Sequence, residues 1–112
     1  MARGDVFVIE LPESELREQT GRRPAVAVQM DVPDGPMLVV APITSNLAAL
    51  RFAFAVRVEP SPENGLTVSS VVMVYQIRAV DKRRIIRKIG QMGAADMTRI
   101  DAEIWRMLKP AN

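Results

Sequence analysis

A small, strongly bent β-barrel with one helix packed across it is the fold class this sequence predicts. Three observations lead there. Short β-rich runs follow one another from residue 5 to residue 89, separated by turn chemistry. Near the C-terminus the apolar periodicity changes from strand-like to helical. The chain has 112 residues, with no internal repeat, linker or low-complexity stretch, so residues 1–112 read as a single domain.

The elements follow in order. Asp5–Leu11 is β-branched and apolar and reads as a strand. A polar loop starts at Pro12-Glu13 and closes at Thr20-Gly21. Pro24–Met30 is a second strand, whose opening proline suits a first strand position or an edge. Pro33-Asp34-Gly35-Pro36 has turn chemistry, because proline fixes φ and Asp-Gly supplies the positive-φ step. Met37–Ile43 then returns as the partner of the second strand. Asn46–Leu50 allows one helical turn, and Phe52–Val58 reads as a strand. Within the loop Pro60–Gly65, Asn64-Gly65 is the strongest turn signal in the chain. Ser70–Asp81 is one long β-rich run, expected to be two strands bent near Tyr75–Ile77, and Ile85–Ile89 is a last short strand.

The total is five to seven strands before the helix. Met97, Ile100, Ile104, Met107 and Leu108 then recur at steps of three and four, one face of a helix that should pack on the core. Asp96 and Lys109 suit its dipole, and Pro110 stops it. Trp105 lies beside the stripe, placed to reach a second copy of the chain.

Composition narrows the chemistry. The chain contains neither cysteine nor histidine. Disulfides, thiolate catalysis and Cys-ligated zinc are excluded, and so are the usual general base near neutral pH and the commonest metal ligand. No metal or cofactor is expected. Net charge is +2, yet Lys82, Arg83, Arg84, Arg87 and Lys88 put five cations within seven residues, so the remainder sums to −3. That asymmetry suits a polyanion, although charge alone leaves a solvated face equally open. Met1–Asp5 runs directly into a strand pattern with no leader signature, and no apolar run nears the ~20 residues of a membrane span. A cytoplasmic location without membrane contact is expected.

Three constellations can carry chemistry. Glu18-Gln19-Thr20-Gly21-Arg22-Arg23-Pro24 places a carboxylate and guanidinia around a glycine that permits a sharp turn. Pro24 holds Arg23 in an extended conformation, as a phosphate site would need; a surface ion pair is the plainer reading. Thr44-Ser45-Asn46 sets three small polar groups directly after an apolar strand, either as phosphate donors or as a helix cap by Thr44 or Ser45. Gln76 and Arg78 share one face if residues 75–81 are extended, which alone is also compatible with a solvated sheet face.

Together with Arg3-Gly4-Asp5-Val6, Val80-Asp81-Lys82 and the helix after Ile89-Gly90, these segments follow one another in an order and spacing that resembles MazF/PemK toxins over nearly the whole chain. The resemblance implies an SH3-like barrel that pairs as a homodimer. It implies metal-independent cleavage of single-stranded RNA at a short preferred sequence, and inhibition by a cognate acidic antitoxin protein that competes for the RNA surface. Arg23 and Thr44 align with the family's recurring catalytic pair, and Glu18 with a carboxylate given an acid–base role in some members. Gln19, Arg22, Ser45, Asn46, Gln76, Arg78, Lys82, Arg83 and Arg84 are the expected RNA-binding residues. The sequence departs from the family at Tyr75, where many members carry the aspartate of Asp-Gln-Ile-Arg. With a reference pKa of about 10, tyrosine is a poor base. The departure shifts work to Glu18 and Arg23, and leaves open that Tyr75 stacks on a base. A same-fold toxin that binds DNA gyrase and cuts nothing (the CcdB type) is the alternative; the phosphate-site residues argue against it.

Overall fold

The computed structural model describes residues 1–11, 21–30 and 33–111. Among the described residues seven strands precede one α-helix: β1 (Asp5–Leu11), β2 (Gly21–Ala27), β3 (Met37–Thr44), β4 (Ala55–Val58), β5 (Ser70–Met73), β6 (Arg78–Asp81), β7 (Ile85–Gln91) and α1 (Ala94–Leu108). Every pairing is antiparallel. The order across the sheet is β4-β5-β3-β2-β1-β7, with β6 also paired to β3.

Both faces of this sheet are apolar, which explains why its strands read as nearly continuous hydrophobic runs. Side chains alternate between the faces. On β1, Val6 enters one cluster, with Val26, Ala41, Ile43, Val72 and Val74, while Phe7, Ile9 and Leu11 enter the other, with Ala25, Ala27, Leu38, Val40 and Val80. Helix α1 covers the first cluster through fully buried Ile100, aided by Met97, Ile104 and Met107. Leu108, expected in that stripe, is instead 61% exposed as the last residue of the helix. Arg3 ties the helix down by donating from Nε to the Val28 carbonyl (3.0 Å) and pairing with Asp101.

One edge of β3 is shared by two partners. Residues 37–40 pair with β6 and residues 43–44 with β5. The register of β6 is offset by three residues from that of β5, and three is the length of the 3-10 turn Val74–Gln76 that joins them. This is the bend expected in the run 70–81, and it extrudes Tyr75 and Gln76 from the ladder. Gln76 and Arg78 therefore do not share a face of one extended strand, as the alternation rule had led us to expect. The loop from β6 to β7 is likewise a single 3-10 turn, Lys82–Arg84.

Other boundaries shift for local reasons. β2 starts at Gly21, whose φ is +76°, because pairing to β1 runs from Leu11↔Gly21 to Val6↔Val26. It has β3 on its other side only from Ala25 to Ala27, so Pro24 sits where one edge is unpaired and no N–H is needed. β4 begins at Ala55 rather than Phe52, because Phe54 takes a φ of +61° and breaks the extended run. The short turn is Leu47–Arg51, one residue later than Asn46–Leu50. The turn at Pro33-Asp34 and the antiparallel pairing of β2 with β3 are as expected, but β2 ends at Ala27 rather than Met30, and Gly35 does not take the positive φ expected of it.

Candidate functional site

Arg23 is placed by β2, directly opposite Ile9 of β1. The β2–β3 ladder ends at Ala25↔Pro42. Two residues further along each strand stand Arg23 and Thr44, on the same face by alternation, but here β3 has turned away to pair Thr44 with Val71. The divergence of the two strands opens a cavity of about 600 Å³ lined by Arg23, Thr44, Ser45, Asn46 and Gln76. The expected catalytic pair, and three of the expected RNA-binding residues, are thus brought together.

Buried Thr44 accepts the Asn46 N–H on its Oγ1 (3.1 Å), which leaves the hydroxyl hydrogen available to donate. The side chain of Asn46, not that of Thr44 or Ser45, caps the turn by accepting the Ala48 N–H (3.1 Å). The cap and the polar lining are therefore one construction. Arg23 Nε and Gln76 Oε1 are buried without a hydrogen-bond partner among the described residues. A buried donor and acceptor left unsatisfied in one cavity cost stability, and a bound ligand would repair both.

Sequence reasoning missed Arg51 and Phe52, which line the same cavity with Met73 and Tyr75. The Arg51 guanidinium lies 4.5 Å from the Phe52 ring centroid, and the Phe52 and Tyr75 rings are 5.1 Å apart at 51°. Phe52 was read as the first residue of a strand, yet it lies outside β4 and is 46% exposed. An aromatic directly after a basic residue, just beyond Thr44-Ser45-Asn46, was the available signal.

Other expected residues fall elsewhere. Glu18 and Gln19 lie outside the described residues. Arg22 points to the opposite face of β2 from Arg23, where it pairs loosely with Glu10 (3.5 Å); it does not line the cavity. Arg78 opens β6 opposite Val40 and is half-buried, also outside the cavity lining. Arg83 and Arg84 form a separate shallow depression with Asp81. There Arg83 donates to the Asp81 carboxylate (2.7 Å), and its side-chain and backbone hydrogen bonds bring the Asp81 carboxyl down to about 2. Lys88 is likewise committed, to buried Asp5 (3.2 Å). The basic stretch is thus partly neutralised by its own carboxylates. Replacing Lys82, Arg83 and Arg84 by neutral residues is expected to flatten the salt dependence of RNA binding by the equivalent of fewer than three phosphate contacts, because Arg83 is committed to Asp81. Titration of binding against salt concentration measures this, and an unchanged slope would make the stretch a solvated face.

The whole chain resembles proteins already known. A family model described as PemK-like, MazF-like toxin of type II toxin–antitoxin system matches residues 2–108. Endoribonuclease MazF of Staphylococcus saprophyticus is 32% identical over 106 residues, covering 93% of this chain and 88% of that protein. Endoribonuclease MazF9 of Mycobacterium tuberculosis is 30% identical over 108 residues, covering 90% of each. Among solved structures, MazF from Deinococcus radiodurans superposes with a TM-score of 0.78 at 23% identity, over 98% of this chain and 97% of that one. An endoribonuclease from a mycobacterial species, solved with its cognate antitoxin, gives 0.76 at 20% identity over 100% and 99%. The structures establish the fold; the family model and the sequence relatives establish descent. No helix among the described residues is long and apolar enough to cross a membrane. The chain belongs to the PemK-like, MazF-like toxin family of type II toxin–antitoxin systems.

Proposed function

We propose that this protein is the endoribonuclease of its toxin–antitoxin pair and cuts single-stranded RNA without a metal ion, at the cavity between β2 and β3. Endoribonuclease activity follows from family membership and from the names of its sequence relatives. The observation that carries the location is the Arg23 guanidinium, with Nε buried and without a partner among the described residues, in one cavity with a Thr44 hydroxyl whose hydrogen is left to donate. A planar guanidinium matches two phosphate oxygens at once and stays charged as the phosphorane forms.

In the proposed reaction the ribose 2′-oxygen attacks the adjacent phosphorus while the bond from phosphorus to the 5′-oxygen breaks. The 2′-hydroxyl loses its proton and the departing 5′-oxygen gains one, so the products are a 2′,3′-cyclic phosphate and a 5′-hydroxyl. Water can then open the cycle to a 3′-phosphate. Arg23 stabilises the pentavalent charge, and Thr44 donates to the same phosphate. Glu18 is the general base, with its carboxylate drawn from the segment just before β2. Arginine is too weak an acid to release a proton, so Arg23 neutralises the leaving oxygen while water protonates it.

The same proposal closes the sheet into an SH3-like barrel. β6 lies on the edge of β3 and β7 on the edge of β1, and only the turn Lys82–Arg84 separates them. It makes the protein a cytoplasmic homodimer; Trp105 and Leu108, 66% and 61% exposed at the end of α1, are the apolar area a second copy would cover. An acidic antitoxin would hold the toxin inactive by occupying the RNA surface, and solved relatives include toxin–antitoxin complexes.

End-mapping of a long RNA incubated with the purified protein in EDTA tests the proposal. Cuts at a recurring sequence with 5′-hydroxyl ends are expected. Ends carrying 5′-phosphate and 3′-hydroxyl would overturn the chemistry, and uncut RNA would favour a toxin that acts by binding a protein target.

A further inference from the structure

A scissile phosphate and its oxygens account for Arg23 and Thr44, but not for the rest of the cavity. Its volume of about 600 Å³ has room for a nucleotide. Phe52 is a large apolar side chain left nearly half exposed. It contributes to none of the buried clusters, so the core does not explain its placement. Instead one face of the ring carries the Arg51 guanidinium, 4.5 Å from its centroid, and the tilted Tyr75 ring stands 5.1 Å away, so a base would take the ring's remaining open surface. Arg51 is itself fixed by a hydrogen bond to the Ala48 carbonyl (3.3 Å). Tyr75 is anchored on the buried patch of Ala49, Val71 and Met73. The next residue, Gln76, brings the buried Oε1 that has no partner among the described residues. A fixed π-surface beside an unsatisfied amide oxygen is what recognises an unstacked base in single-stranded RNA: the ring takes the base's face and the amide its edge.

We propose that this end of the cavity is a base-binding subsite, in which one unpaired nucleobase of the RNA strand stacks on Phe52 and Tyr75 and donates a hydrogen bond to Gln76. The inference rests on the ribonuclease reading above. It gives the 3-10 turn Val74–Gln76 a purpose, since the three-residue offset turns both Tyr75 and Gln76 out of the ladder and into the cavity. It also makes this subsite, rather than the scissile phosphate, a source of the enzyme's sequence preference.

The test uses wild-type protein and an RNA that carries the mapped cleavage sequence, 2′-O-methylated at the scissile ribose so that it binds without being cut. 2-Aminopurine replaces one base at a time around that position. Quenching of its fluorescence on binding is expected at one position only. Phe52→Leu, which keeps an apolar side chain but removes the ring, should abolish that quenching and weaken binding about tenfold. Phe52→Trp should restore both to within about twofold. RNA that binds and is cut with no position quenched by the wild type would overturn the subsite while the nuclease reading stands. RNA that is neither bound nor cut would overturn both. Loss of a dimer in Phe52→Leu, seen by sedimentation, with the quenching intact would assign Phe52 to an interface between copies instead.

Discussion

Arg23→Ala protein is expected to cleave RNA slower by about 10²-fold or more while melting no earlier than the parent. The size of the loss follows from the role: a donor aimed at transition-state charge in a partly enclosed site supplies about 3 kcal/mol. The absence of a folding penalty follows from the geometry. Nε of Arg23 is buried with no acceptor among the described residues, so removing it deletes an unsatisfied donor and not a bond. The backbone position is set independently by the pairing of Arg23 with Ile9. Arg23→Lys should recover only part of the rate, because an ammonium is a point charge without the guanidinium's two parallel N–H bonds. Single-turnover cleavage with a thermal melt of each variant decides it. Full activity in Arg23→Ala would remove the centre of the proposal, and a lowered melting point would make the residue structural.

The strands were legible because each carries its own pattern. β1, β3 and α1 are where local periodicity expects them, and the bend in the run 70–81 falls at Tyr75–Gln76 because the chain there is extruded by a register offset. What could not be read was which partner each edge receives. Arg22 and Arg23 are neighbours in sequence with equal claims on a phosphate. Only the pairing Glu10↔Arg22, against the parting of β2 and β3 beyond Ala25, sends one to an ion pair and the other to the cavity. Phe52 was misplaced for the same kind of reason: a positive φ at Phe54 halts the strand two residues later, and nothing in the local sequence announces it. The family's Arg3 and Asp5, which looked like part of a functional signature, prove to be joints. Arg3 fastens α1 to the end of β2, and Asp5 sits buried against Lys88 and the Ala2 N–H (2.8 Å).

The largest expected effect on folding comes from Gly90→Ala, a position that lines no part of the cavity. The loop that carries Asn64-Gly65 is wrapped around a buried amide. Asn64 accepts the Ser61 and Leu66 N–H groups on Oδ1 (3.0 and 2.9 Å) and donates from Nδ2 to the Glu59 carbonyl (2.9 Å). The loop is laid on β7, where the Gln91 N–H donates to the Glu63 carbonyl at 2.7 Å. The two backbones approach so closely that a Cβ on Gly90 would stand 2.4 Å from the Glu63 carbonyl oxygen and 2.5 Å from the Asn64 carbonyl carbon. On the facing side, a Cβ on Gly65 would stand 2.1 Å from the Ile89 oxygen. These are backbone atoms, so no rotamer change relieves the clash; the loop must lift, losing the Gln91–Glu63 bond and opening Asn64 to solvent. Overpacking of this kind, added to a broken buried hydrogen bond, is expected to cost about 3 kcal/mol or more. In a domain of this size that lowers the melting midpoint by on the order of 10 °C or more. At a temperature where the variant is still folded, its cleavage rate should match the parent's, because β2 and β3 are untouched. Coincident melting curves for Gly90→Ala and the parent would show that the loop does not clasp β7 this tightly; Asn64-Gly65 would then be a surface turn, with no part in holding the last strand against Val6.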